Sequence, residues 1–131
     1  MSFKDKYGPN VAVIGASGDR SRYSNKAVRA FVSEGYNVYP INPNEQLIEG
    51  LKAYPKIADV PEKIGFASVY LNPKVSLANS IPEQLRDKSI EMVILNPGAA
   101  NDELVQKLKA YHIEVQLICS IVALGYDSNS L

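Results

Sequence analysis

The chain has 131 residues, 14 Lys and Arg against 14 Asp and Glu, and an apolar share of 46%. That length suits one domain, and the composition is that of a folded globular protein rather than a disordered one. The balanced charge excludes the broad basic surface on which sequence-independent nucleic-acid binding depends, while leaving room for a small basic pocket.

A lone cysteine, Cys119, rules out an internal disulfide framework and a multi-cysteine zinc site. A lone histidine, His112, speaks against a histidine-ligated metal, so no metal site is expected. The longest apolar stretch, Leu117 to Leu124, contains Ser120 and is far short of the ~20 residues that cross a bilayer. Met1 to Lys6 carries charge with no apolar core behind it, so no signal peptide is expected. A cytoplasmic protein with neither membrane nor nucleic acid as partner is the expectation.

Along the chain, Val11 to Ile14 is a continuous apolar run stopped by Gly15, the pattern of a strand buried on both faces. A small-residue loop runs to Ser24. Asn25 to Glu34 then places Ala27, Val28, Phe31 and Val32 on one helical face, with Gly35 suited to the C-terminal positive-φ position. Asn37 to Ile41 reads as a second strand, in which Pro40 belongs near the end because it cannot donate to a ladder. Ala53 to Ile57 is at most a short edge strand. Phe66 to Leu71 is a third substantial strand, followed by Asn72-Pro73. A helix from about Lys74 is expected to turn Val75, Ala78 and Ile81 inward and to break near Pro82.

Ile90 to Leu95 is the next buried strand, closed by Asn96-Pro97-Gly98. Asn101 is a good N-cap, Asp102 and Glu103 suit the first helical turn, and Leu104, Val105, Leu108 and Tyr111 give an inner face. Glu114 to Cys119 alternates as an edge strand would. The core is expected to span about residues 8–122, with 123–131 frayed. Strands alternating with helices predict a single α/β domain, a doubly wound, mainly parallel, Rossmann-like sheet. In such a sheet ligands bind at the strands' C-terminal edge, where the strand order switches.

The turns on that edge share a Gly, Pro and Asn character: Gly15-Ala16-Ser17-Gly18, Asn42-Pro43, Asn72-Pro73 and Asn96-Pro97-Gly98. Such turns let a ligand approach the main chain closely. The first joins a strand to a helix N-terminus, the geometry that holds a pyrophosphate on backbone amides. Ser17 and Arg20 stand where the dinucleotide fingerprint wants its second and third glycines, so a conventional dinucleotide loop is absent. The loop is basic instead: Arg20, Arg22, Lys26 and Arg29 against Asp19, a surplus of three charges. Cations at a helix N-terminus are unfavourable without an anion to answer them. The second strand ends without the acid that NAD requires, and no Arg or Lys stands in that turn for NADP. No catalytic residue is assigned: His112 reads as a surface or capping residue and Cys119 as a small hydrophobe at a strand end.

In order and spacing these segments resemble the small stand-alone CoA-binding proteins, which are related to the CoA-binding domain of the succinyl-CoA synthetase α subunit. The resemblance covers about Gly8 to Cys119. It is carried by Val11 to Ser17, Ser24-Asn25-Lys26, Gly35 to Pro43, Gly50 with Ala53-Tyr54-Pro55, Asn96 to Ala99 with Asn101-Asp102-Glu103, and Cys119. It implies that Gly15, Ala16, Ser17, Arg20, Arg22, Asn25 and Lys26 take CoA phosphates. It further implies that Ile41, Asn42 and Pro43 flank the adenosine, with Leu71, Pro97 and Gly98 nearby. The synthetases' second domain, with its phosphorylated histidine, has no counterpart in these residues, so His112 inherits no catalytic role. The expectation is a non-catalytic module for coenzyme A or an acyl-CoA, acting with a protein partner or as a homo-oligomer. The alternatives are an NAD(P)-dependent oxidoreductase or nucleotide-binding subunit using the same loop, and a structural subunit whose crevice is empty.

Overall fold

The computed structural model describes residues 1–131. The chain begins with helix α1 (Phe3–Tyr7), strand β1 (Asn10–Ile14), helix α2 (Tyr23–Ser33) and strand β2 (Asn37–Ile41). A small hairpin follows, β3 (Leu47–Ile48) and β4 (Leu51–Lys52), then a 3-10 turn at Ile57–Asp59. Next come β5 (Phe66–Val69), α3 (Pro73–Ala78), α4 (Ile81–Asp87) and β6 (Met92–Leu95). The chain closes with α5 (Asp102–Ala110), β7 (Glu114–Gln116), α6 (Ser120–Ala123) and a 3-10 turn at Ser128–Ser130.

Five strands pair in parallel in the order β2-β1-β5-β6-β7, which is the doubly wound architecture that the alternation predicts. Strand β1 is buried at every position from Val11 to Ile14 because both faces of the sheet are covered. Val11 and Val13 pack with Ala27, Val28 and Phe31 of α2 and with Ile121 of α6. Ala12 and Ile14 face the other way, among Leu85 of α4 and Leu104 and Leu108 of α5. Pro40 is tolerated one residue from the end of β2 because β2 is an edge strand: its carbonyl takes the Tyr54 N–H on the side away from β1.

Several elements differ from the sequence expectation. Helix α1 is capped by Ser2, whose hydroxyl accepts from Asp5 N while Asp5 accepts from Ser2 N. It docks Phe3 and Tyr7 on Phe66, with ring centroids 5.4 and 5.9 Å away. A side chain at position 65 would fall on the Tyr7 carbonyl oxygen, so Gly65 is what allows this approach. In α3 the inward residue is Ser76, whereas Val75 and Ala78 are exposed. The six-residue helix ends before Ser80, whose φ of 56° turns the chain into α4 and resets the buried face at Ile81.

Strand β7 stops at Gln116, and Cys119 caps α6. The tail, expected to fray, is laid against the α2 face. Leu124, Tyr126 and Leu131 pack on that cluster, Tyr126 Oη donates to Glu34, and Lys26 Nζ donates to the Ser128 carbonyl.

Candidate functional site

The order of strands reverses between β1 and β5, and a cleft of about 860 Å³ opens at their C-terminal ends. Gly15, Ala16 and Ser17 enter it from β1, Ile41, Asn42 and Pro43 from β2, and Leu71 from β5. Gly15 has φ +84°, and a Cβ there would stand 2.9 Å from Leu71 Cδ2, so conformation and space both demand glycine. The N–H groups of Gly15 and Ala16 both donate to the Ile41 carbonyl at 3.2 Å, which welds the first turn to the second.

Asn42 fixes the geometry from within. Its amide donates to the Ala16 carbonyl at 2.8 Å and to Glu45 at 3.2 Å, and its oxygen accepts from Asn44 N and Glu45 N. The side chain is therefore fully engaged and shapes the wall of the cleft. Asn25 does the same for the loop before α2, although it does not border the cleft. Wholly buried, it donates to the Ser17 carbonyl and Glu49 and accepts from Arg29 Nε.

The basic loop is dispersed by its own contacts. Arg20 pairs with Glu49 at 3.0 Å, Lys26 reaches the tail, and Arg29 is spent on Asn25 and the Arg20 carbonyl. Arg20 and Lys26 do not line the cleft; Arg22 does, 70% exposed and 3.8 Å from Asp19. Glu45 lies over the loop as well, accepting from Gly18 N at 2.9 Å. Counting Glu45 and Glu49, the surplus of three charges in the loop shrinks to one. The backbone N–H of Ser17 in the cleft wall, and those of Tyr23 and Ser24 in the first turn of α2, remain without partners in the chain.

The far wall went unread in the sequence: Pro55, Lys56 and Ala58, and then Asn79, Ser80, Ile81 and Gln84 from the α3–α4 junction. Ala53-Tyr54-Pro55 was the available signal, since Tyr54 forms a parallel bridge to Ile41 and carries its neighbours to the strand end. Across the whole lining there are two cations, Arg22 and Lys56, and no acid.

Pro97 and Gly98 border a different, smaller cavity of about 310 Å³, with Leu95, Leu117 and the half-buried Cys119. Beneath it Asn96 donates to Ser68 Oγ and to the Val69 carbonyl and accepts from Ser120 N, while the Ser68 and Ser120 hydroxyls share a hydrogen bond. Burial pushes the neighbouring Tyr70 phenol far above its ordinary range, and its hydroxyl has no partner. His112 is exposed beyond the C-terminus of α5 with φ +61°. No three His, Cys, Asp or Glu side chains stand together as metal ligands would, and no helix is long and apolar enough to cross a membrane.

A family model described as a CoA binding domain matches residues 9–124. The ADP-forming acetate–CoA ligase II of Archaeoglobus fulgidus is 35% identical over 102 residues, 74% of this chain and 14% of the ligase. Among solved structures, a hypothetical protein from Pyrococcus horikoshii OT3 superposes with a TM-score of 0.83 at 27% identity, covering 92% of this chain and 84% of that one. The apo dinucleotide-forming acetyl-coenzyme A synthetase 1 of Ca. Korarchaeum cryptofilum gives 0.74 at 26% identity, over 87% of this chain and 27% of the synthetase. The chain spans 13–19% of the length of the curated ligases it matches.

Proposed function

The chain belongs to the CoA-binding domain family, and from that premise we propose that it holds coenzyme A, free or as an acyl thioester, in the cleft between β1, β2 and β5. The observation that carries this reading is the cleft wall, which offers two cations and no acid to a polyanion. Its pyrophosphate sits against Arg22 and Ser17, whose backbone N–H is unpaired, in the loop that leads into α2, where the helix dipole favours negative charge. The adenosine lies along Ile41, Asn42 and Pro43 with Leu71 beneath it. Arg20, Asn25 and Lys26 support the loop and do not touch the ligand. The acyl or pantetheine end extends along the sheet edge towards Pro97-Gly98.

No nucleophile with an adjacent base borders the cleft, and we read the protein as a binding, sensing or delivery module that presents its ligand to a protein partner or a second copy. Calorimetry on protein stripped of ligand is the direct test. Saturable one-to-one binding of CoA is expected, and no heat up to about millimolar CoA would overturn the reading. In a thermal-shift comparison CoA should stabilise the fold more than NAD or NADP at equal concentration, since a ligand at ~100 Kd contributes about 2.7 kcal/mol. A larger shift with a nicotinamide dinucleotide would favour the oxidoreductase alternative.

A further inference from the structure

A nucleotide cleft of this architecture selects its ribose at the end of the second strand, where an acid accepts from a free hydroxyl and a cation answers a phosphate. Here that turn, Ile41-Asn42-Pro43-Asn44, holds neither. The structure supplies the charge from a neighbouring segment. Tyr54 bridges Ile41 in parallel, with Tyr54 N donating to the Pro40 carbonyl and Asn42 N to the Tyr54 carbonyl, both within 3.0 Å. The two chains leave this bridge side by side, and two residues further on stand Pro43 and Lys56, both in the cleft wall.

The Lys56 ammonium makes no ion pair and no hydrogen bond in the chain. The acid nearest to it in sequence, Asp59, is instead engaged by the Lys56 backbone N–H at 3.2 Å, in the cap of the 3-10 turn. The backbone of Lys56 is thereby fixed while its charge stays unspent beside the β2 turn. Arg22, the other cation of the wall, comes from the loop that follows β1, so the two charges are carried by different segments of the chain.

We propose that Lys56 binds a phosphate monoester on the ligand's ribose and so selects CoA over dephospho-CoA. The inference rests on the CoA reading, because the 3′-phosphate of CoA is the group Lys56 would meet. NADP carries the same chemistry as a 2′-phosphate. An ammonium paired with a phosphate dianion in a partly enclosed cleft forms a strong charge-assisted contact, and its loss falls only on ligands that carry the group.

The experiment is a set of dissociation constants by calorimetry for CoA, dephospho-CoA, NADP and NAD, measured on the native protein and on Lys56→Met. Because the Lys56 backbone makes the cap, the variant keeps its fold, which circular dichroism verifies. The native protein is expected to bind CoA about tenfold more tightly than dephospho-CoA, and the ratio should fall to within about twofold in Lys56→Met through weaker CoA binding. Equal affinity for both ligands in the native protein, or an undiminished ratio in the variant, would overturn the role of Lys56 and leave the CoA reading standing. If neither CoA nor dephospho-CoA binds, the CoA reading falls and the nicotinamide pair decides. A Lys56-dependent preference for NADP over NAD then upholds the ribose-phosphate subsite, and no such preference removes it.

Discussion

At the scale of single residues, two polar side chains, Asn25 and Asn42, spend their hydrogen bonds on building the cleft. Asn25 sits where a phosphate ligand was expected from sequence, yet its burial and three hydrogen bonds make it a strut between the loop, α2 and the hairpin. Asn25→Ala leaves the Ser17 carbonyl and Arg29 Nε without their partner, a loss of about 2 kcal/mol. Urea denaturation should show the midpoint falling with an unchanged slope; an unmoved midpoint would mean that the loop is held by other contacts. Gly15, Gly35 and Asn101 were readable in the sequence because a strand-ending glycine, a helix-ending glycine and an N-cap are set by local backbone geometry. Lys56, Glu45 and Glu49 were not. Their roles come from contacts across 27 to 29 positions or from a single inter-strand bridge, and no local pattern announces those.

Between elements, three tyrosine–glutamate hydrogen bonds act as ties. Tyr7 joins α1 to Glu114 of β7, Tyr111 joins the end of α5 to Glu83 of α4, and Tyr126 joins the tail to Glu34 beside α2. Hydrogen bonds from Tyr111 and Lys107 hold the Glu83 carboxyl below its usual range, and those from Gln116 and Tyr7 do the same for Glu114. The hydrogen bond to Glu83 raises the Tyr111 phenol, that to Glu34 raises Tyr126, and burial with the bond to Glu114 raises Tyr7.

The signs of the two pH limbs follow. Carboxyls lowered in the folded state bind fewer protons than in the unfolded chain, so their stabilisation is present above the ordinary carboxylate range and lost as pH falls through the folded values. Phenols raised in the folded state stabilise it below their ordinary range and cease to do so as pH climbs through the folded values. Thermal midpoints should therefore form a plateau through neutrality, falling below about pH 4.5 and above about pH 10. A midpoint rising steadily from acid through neutral pH would contradict this. Four strands of the main sheet, β1, β2, β5 and β6, were legible as apolar runs stopped by Gly, Pro or Asn, whereas β7 was read three residues too long. The hairpin was not, since its turn uses Glu49 at φ +50° where Asn or Asp is usual.

For the molecule as a whole, the two-faced burial of β1 and the strand order place the switch point, and with it the cleft, and the alternation of elements along the chain made this much predictable. What closes the far end of one face was harder to foresee. Helix α1, helix α6 and the tail are short and weakly patterned, and they are ordered by Phe66 and the α2 surface rather than by propensity.

Glu45 and Glu49, folded over the loop, have a consequence for the speed of ligand capture as well as its strength. A bare cluster of four cations would draw a polyanion in from a distance, whereas a loop with a surplus of one presents a weak far field to an approaching ligand. Association measured by stopped flow should therefore change only a few-fold between ionic strengths of about 0.01 M and 0.1 M, while the Debye length shrinks from ~30 to ~10 Å. In Glu49→Gln, which unmasks Arg20, the same change of salt should slow association more steeply. An identical slope in both proteins would show that the carboxylate exerts no control over encounter. The masking makes this a site that recognises its ligand at contact instead of steering it from afar, and one that discourages casual occupancy by the many other polyanions in its surroundings.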